Sequence, residues 1–202
     1  VNPDAILYRR QNNLIDYDER MAILIQGVRG QQNGRYYYPT LAGVAFSENS
    51  YRWNAKIERE AGFLRLVWGM GTRAVDRIDK DYPRLVALSH PQLRPEADVK
   101  SMRQYAQWYV DAIDLEQNSF ATFPVQELLD SNYAHLSLIA SLDKGSYIQS
   151  IRSVGGLKPS DRFILTFENL LKDQKFIHLM RTALRRLAES YRVHVDVEFT
   201  IE

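Results

Sequence analysis

Two carboxylates stand two positions apart in the segment His194-Val195-Asp196-Val197-Glu198-Phe199-Thr200. From Val193 to Glu202 the chain alternates strictly: Val193, Val195, Val197, Phe199 and Ile201 share one face, His194, Asp196, Glu198, Thr200 and Glu202 the other. On a strand this places the Asp196 and Glu198 Cα atoms about 6.6–7 Å apart on one side. Carboxylates so spaced reach one magnesium ion, or flank two, when phosphate oxygens complete the shell. A half-exposed antiparallel strand also turns polar residues outward with no ligand present. On spacing alone, the solvated face is the more economical reading.

A second candidate is Trp68-Gly69-Met70-Gly71-Thr72-Arg73-Ala74-Val75-Asp76-Arg77. Glycines after a strand let backbone approach a ligand, and Arg73 and Arg77 are suited to phosphate. Gly69, Gly71 and Ala74 fit the loose pattern G-x-G-x-x-A, but a dinucleotide site needs a helix and parallel strand after it. The next segment is instead a loop containing Pro83, so a structural turn explains the glycines by themselves. The four histidines (His90, His135, His178, His194) show no metal-ligand spacing. Cysteine is absent, which removes disulfides, thiol catalysis and zinc-thiolate sites.

The elements that must position these residues are strand-rich at first. Residues 21–28 (MAILIQGV) form an apolar run of strand length, and 30–34 (GQQNG) a turn cluster. Short strands are predicted at 35–38, 42–47 and 63–68. From 78 to 95 three prolines predict loop with a strand near 84–88. A helix is expected over 96–107 and a strand over 108–115, whereas 124–130 and 133–142 are ambiguous. A strand at 163–167 precedes an amphipathic helix over 170–191, with apolar residues at Phe176, Met180, Ala183, Leu184, Leu187, Ala188 and Tyr191. Strand, helix and strand in this order predict an α+β layer, the helix stripe covering the valine face.

With 202 residues and 26 basic against 25 acidic side chains, the net charge is +1. Near-neutral charge argues against a nucleic-acid partner. It also weakens an RNA-stacking reading of Tyr36, Tyr37 and Tyr38 with Arg29 and Arg35. No apolar run of 18 residues exists, so no membrane partner is expected. Zero cysteine fits a reducing, cytoplasmic setting. The start at Val1 and the stop at Glu202, inside a strand, suggest a piece of a longer protein.

Three segments together resemble the nucleotide-binding N-terminal domain of phosphoenolpyruvate synthase and pyruvate phosphate dikinase, an ATP-grasp fold. MAILIQGVRG resembles the strand reading roughly AVLIQEMV that leads into the adenine-side hinge. AGVAFSENS with FLRLVWGMGTRAV after it resembles an SGVAFT-type strand and an IEASWGLGEAVV strand with its glycine loop. VHVDVEFTIE resembles the closing strand, roughly QDIEFTIE. The likeness spans about 21–77 and 163–202; residues 78–160 read as an insertion or divergent segment.

The resemblance implies an ATP-grasp-like α+β fold with a mixed or antiparallel sheet and packed helices, here the later part of the domain. It implies ATP and Mg²⁺ as ligands, with Asp196 and Glu198 holding the metal. Gln26, Gly27, Val28, Gly69, Gly71 and Arg73 would contact the nucleotide, and no catalytic residue is assigned within the chain. The implied partners are other domains of the same polypeptide: an N-terminal ATP-grasp lobe, a phosphohistidine domain and a pyruvate/PEP domain. The implied activity is that of a phosphotransferase that phosphorylates a histidine en route to pyruvate. Three acidic positions of the family pattern are replaced, by Gly27, Arg65 and Thr72. Those departures leave a second expectation, a catalytically degenerate ATP-grasp domain that senses nucleotide or serves interaction.

Overall fold

The computed structural model describes residues 3–14, 25, 27–75, 78, 80–158 and 160–202. In chain order the elements are α1 (Pro3–Gln11), β1 (Gln31–Asn33), β2 (Tyr36–Tyr38), β3 (Leu41–Phe46), β4 (Phe63–Val67) and α2 (Thr72–Val75). Then come β5 (Arg84–Ala87), α3 (Val99–Gln104), β6 (Tyr109–Asp114), β7 (Ser119–Pro124), α4 (Val125–Leu128), α5 (Leu136–Ile139) and β8 (Ala140–Asp143). β9 (Ile148–Ser150), β10 (Arg162–Leu165), α6 (Glu168–Lys172), α7 (Gln174–Tyr191) and β11 (Asp196–Ile201) complete the chain.

Among the described residues the strands form three sheets, ordered β1-β2-β6-β7, β10-β8-β9 and β11-β3-β4-β5. Every pairing in them is antiparallel. The expected α+β class therefore holds, with antiparallel sheets and helices. Residues 78–160 contribute β5 to β9, so this stretch completes all three sheets.

The sheet β11-β3-β4-β5 carries the candidate residues. Alternation in β11 puts Val197, Phe199 and Ile201 on the core, packed against the cluster that includes Phe176, Ile177, Met180 and Leu184 of α7. The helix predicted over 170–191 is two helices. Asp173 interrupts it and caps α7, its side chain accepting from Lys175 N at 2.8 Å. The strand predicted from 193 begins only at Asp196, because Arg192 ends α7 in the left-handed conformation and the chain must turn first.

The 21–28 strand falls largely outside the described residues. Of its described members, Ile25 is 89% exposed, and Gly27 and Val28 lie outside regular secondary structure. Tyr38, weighed for base stacking, is instead buried and packs edge-on against Trp68 at 5.2 Å. Among the described residues no helix is long and apolar enough to cross a membrane.

Candidate functional site

Pairing register fixes what stands on the outward face of β11-β3-β4-β5. Glu198 lies opposite Val44, Val44 opposite Arg65, and Arg65 opposite Leu85. One row away, Thr200, Ala42 and Val67 align; on the other side, Asp196, Phe46, Phe63 and Ala87 align. Because side chains alternate with period two, all three rows share a face. Over part of it sits α2, whose Ala74 packs with Ala42, Val44 and Val67 in a small second apolar cluster.

Beside that cluster opens a cleft of about 710 Å³, lined by Gly27, Val28, Met70, Gly71, Thr72, Val75, Phe120, Gly43 and the β11 residues Glu198, Phe199 and Thr200. Four of the sequence-predicted residues, Gly27, Val28, Gly71 and Glu198, thus meet from three distant segments. Gln26 lies outside the described residues. Asp196 stands exposed on the face of Glu198 but beyond the cleft lining.

Gly69 and Arg73 have other positions. Gly69 takes φ +89°, and a Cβ there would collide with Val110 Cγ2 and lie 2.8 Å from the Asp111 carbonyl oxygen. Its smallness serves the close approach of the loop to β6, with no part in the cleft lining. Arg73 is buried; its Nη1 donates to Asp81 Oδ2 at 2.7 Å, and its Nε stands 3.1 Å from Asp111 Oδ2. The guanidinium lines a separate cavity with Asp81, Trp108, Tyr109 and Thr122. Its Nη1 and Nη2 are already engaged, by Asp81 and by Asp111 with Thr122, and two carboxylates balance its charge.

Asp111 is the residue that sequence reading missed. Its carboxylate accepts from Thr72 Oγ1 at 2.7 Å, from Thr122 Oγ1 at 2.5 Å and from Arg73, and its carbonyl accepts from Met70 N at 2.9 Å. Asp111 therefore holds the glycine loop through side chain and backbone together. Its one signal in the sequence is an acidic residue out of phase in an otherwise apolar strand. Asp81 completes the cluster; burial pushes its carboxyl above the ordinary value despite the Arg73 bridge and the Trp108 N–H that it accepts. Upstream, buried Gln107 donates to Trp68 O and accepts from Trp68 N, both at 2.8 Å, and so fixes the end of β4 where the loop begins.

For a divalent cation, Asp196 and Glu198 supply hard oxygen donors, two positions apart on an exposed face. Among the described residues no group of three or more His, Asp or Glu side chains gathers at a metal site. Two carboxylates cannot close a magnesium shell, which takes about six oxygens. They fit the ion only where phosphate and water provide the rest.

Among curated proteins and among solved structures, no match was found. The family described as pyruvate phosphate dikinase, AMP/ATP-binding domain, matches residues 1–202, the full length of the chain. The nucleotide-binding character implied by the closing strand and the glycine loop thus agrees with the family match, and the chain belongs to the family of pyruvate phosphate dikinase AMP/ATP-binding domains.

Proposed function

We propose that the cleft beside α2 is the nucleotide site and that this chain is the MgATP-binding part of an ATP-grasp-type phosphotransferase. The observation that carries the reading is the convergence of Gly27, Val28, Gly71 and Glu198 on one cleft of about 710 Å³. That volume suits a nucleotide, which falls in the usual range of small-ligand sites. The exposed backbone at Gly27 and Val28 receives the base, and the glycine loop lies along the ribose and phosphates. Glu198, with Asp196 beside it, would hold Mg²⁺; bound there, the ion would neutralise charge on the polyphosphate.

Phosphoryl transfer requires chiefly positioning and charge neutralisation. This chain's residues supply both: Asp111 and Arg73 keep the loop in place, and Glu198 orients the phosphate end. The acceptor is a histidine on another domain of the same polypeptide, from which phosphate passes to pyruvate. An N-terminal ATP-grasp lobe and a pyruvate/PEP domain complete the proposed enzyme. A second reading, nucleotide sensing without turnover, draws on Gly27, Arg65 and Thr72 at positions where the resembling motifs are acidic.

Calorimetric titration of MgATP into the chain and into an Asp196→Ala/Glu198→Ala variant tests the proposal. Magnesium-dependent binding that disappears in the double variant is the expected result. Absence of binding at millimolar nucleotide, in protein with a cooperative thermal transition, overturns it. Incorporation of phosphate from ATP into an added phosphohistidine-type domain separates transfer from sensing.

A further inference from the structure

We propose that Arg65 is a phosphate-binding residue of the cleft face, taking the polyphosphate of the nucleotide at a point across Val44 from Glu198. The inference rests on the nucleotide reading above and adds a residue that neither the sequence motifs nor the cleft lining assigns.

Arg65 stands on β4 in the row Glu198, Val44, Arg65, Leu85. With strands about 4.8 Å apart, its Cα lies about 10 Å from that of Glu198, on the same side of the sheet. An extended polyphosphate bridges such an interval, one end on the carboxylate-held metal and the other on the guanidinium. Among the described residues of this sheet, Arg65 is the one basic side chain on the outward face; Arg84 of β5 pairs with Leu66 in the row that faces the core.

Its surroundings differ from those of Arg73 and Arg84, which are buried, and of Arg94, which is half-buried as Arg65 is. Arg73, Arg84 and Arg94 each lie within 4 Å of a carboxylate. Among the described residues, no carboxylate comes that close to Arg65, which is half-buried and stacks on the face of Phe46, 5.3 Å from its Cζ to the ring centroid. A guanidinium stacked on a ring keeps its in-plane N–H donors for another partner, and their fork matches phosphate oxygens bidentately. Asp196 and Glu198 alone would make this face repel a polyanion. A fixed cation on the same face offsets them, and does so without competing for the metal.

The test compares binding of ATP, adenosine and tripolyphosphate, each with Mg²⁺, by the parent chain and by Arg65→Ala, Arg65→Met and Arg65→Lys. Arg65→Met keeps an apolar stem over Phe46, so it reports loss of charge even if Arg65→Ala fails to fold. Loss of about tenfold or more in ATP and tripolyphosphate affinity, unchanged adenosine affinity, and partial recovery in Arg65→Lys are expected. Undiminished ATP and tripolyphosphate binding by a folded Arg65→Met protein overturns this inference alone. A parent chain that binds neither ATP nor adenosine overturns the nucleotide reading, and this inference with it.

Discussion

Arg73 and Asp111, 38 positions apart, join the short helix after the glycine loop to β6 of the sheet β1-β2-β6-β7, with Arg73 Nη2 donating to Asp111 Oδ1 at 3.2 Å. Both side chains are at least nine-tenths buried. The loop that lines the cleft is therefore anchored from behind, by a charge cluster that the cleft itself does not contain.

Removing Asp111 leaves Arg73 with one carboxylate and frees the hydroxyls of Thr72 and Thr122. Breaking a buried pair from one side costs about 3–5 kcal/mol, more than the pair contributes over an apolar replacement. Asp111→Ala should lose stability in that range by urea unfolding. Asp111→Asn, which still accepts from Thr72, should lose less and bind nucleotide more weakly than the parent.

The two glycines of the loop should respond differently to alanine. At Gly69 a Cβ meets Val110 and the Asp111 carbonyl at φ +89°, so Gly69→Ala should cost about 2–4 kcal/mol through strain and overpacking. At Gly71 the nearest atom to a new Cβ is Ala42 Cβ at 3.6 Å, an ordinary contact. Gly71→Ala should stay within about 1 kcal/mol of the parent, and its nucleotide affinity then reports crowding of the cleft directly.

Arg84 is buried with Nε and Nη2 unpaired, and burial lowers its guanidinium to about 9. Between about pH 9 and the ordinary arginine value, the unfolded chain holds a proton that the folded one has released. The cost of burying the charge is thus greatest below pH 9 and eases above it. Arg84→Met combined with Glu96→Met, which removes both partners of the buried pair while Arg94 keeps Glu168, should be neutral or stabilising by up to about 2 kcal/mol at pH 7. That advantage should shrink when thermal unfolding is repeated above pH 9.

Asp143 behaves in the opposite sense. Arg103 donates to its two oxygens at 2.7 and 2.6 Å and holds the carboxyl below its ordinary 3.8. The stabilisation is complete above that value and drains away as pH falls through the lowered one. Asp143→Asn should melt at a lower temperature than the parent at pH 7, with the two curves converging in strong acid.

Periodicity made part of this legible. The alternation of β11 and the stripe of α7 announce themselves because each buries a single face, and a one-sided pattern survives in one dimension. Thus Val197 and Phe199 could be placed on the core and Glu198 opposite them from sequence. β6 was legible as a strand too, but what its acids do was not, for a physical reason: Asp111 and Asp114 are buried in an apolar strand. They are tolerated there only because Arg73, Thr72 and Thr122 satisfy one, and Arg35 with the backbone at Glu116 and Gln117 the other. Those partners are remote in sequence, so no local pattern shows them. The same nonlocality separates Arg73 from Arg65: a loop arginine looks available for phosphate until the fold reveals its carboxylates.

The pairing of β11 with β3 also orders events during synthesis. Val195 N donates to Ser47 Oγ across 148 positions, and the Asp196–Ile201 ladder continues that contact along Leu41–Phe46. β3 leaves the ribosome long before its neighbour exists, with an apolar edge open on one side. Pairing over so long an interval closes late, and an open edge invites wrong partners meanwhile. A nascent chain therefore has no Glu198 with which to meet nucleotide, and a product cut short before β11 keeps Leu41–Phe46 as an adhesive margin.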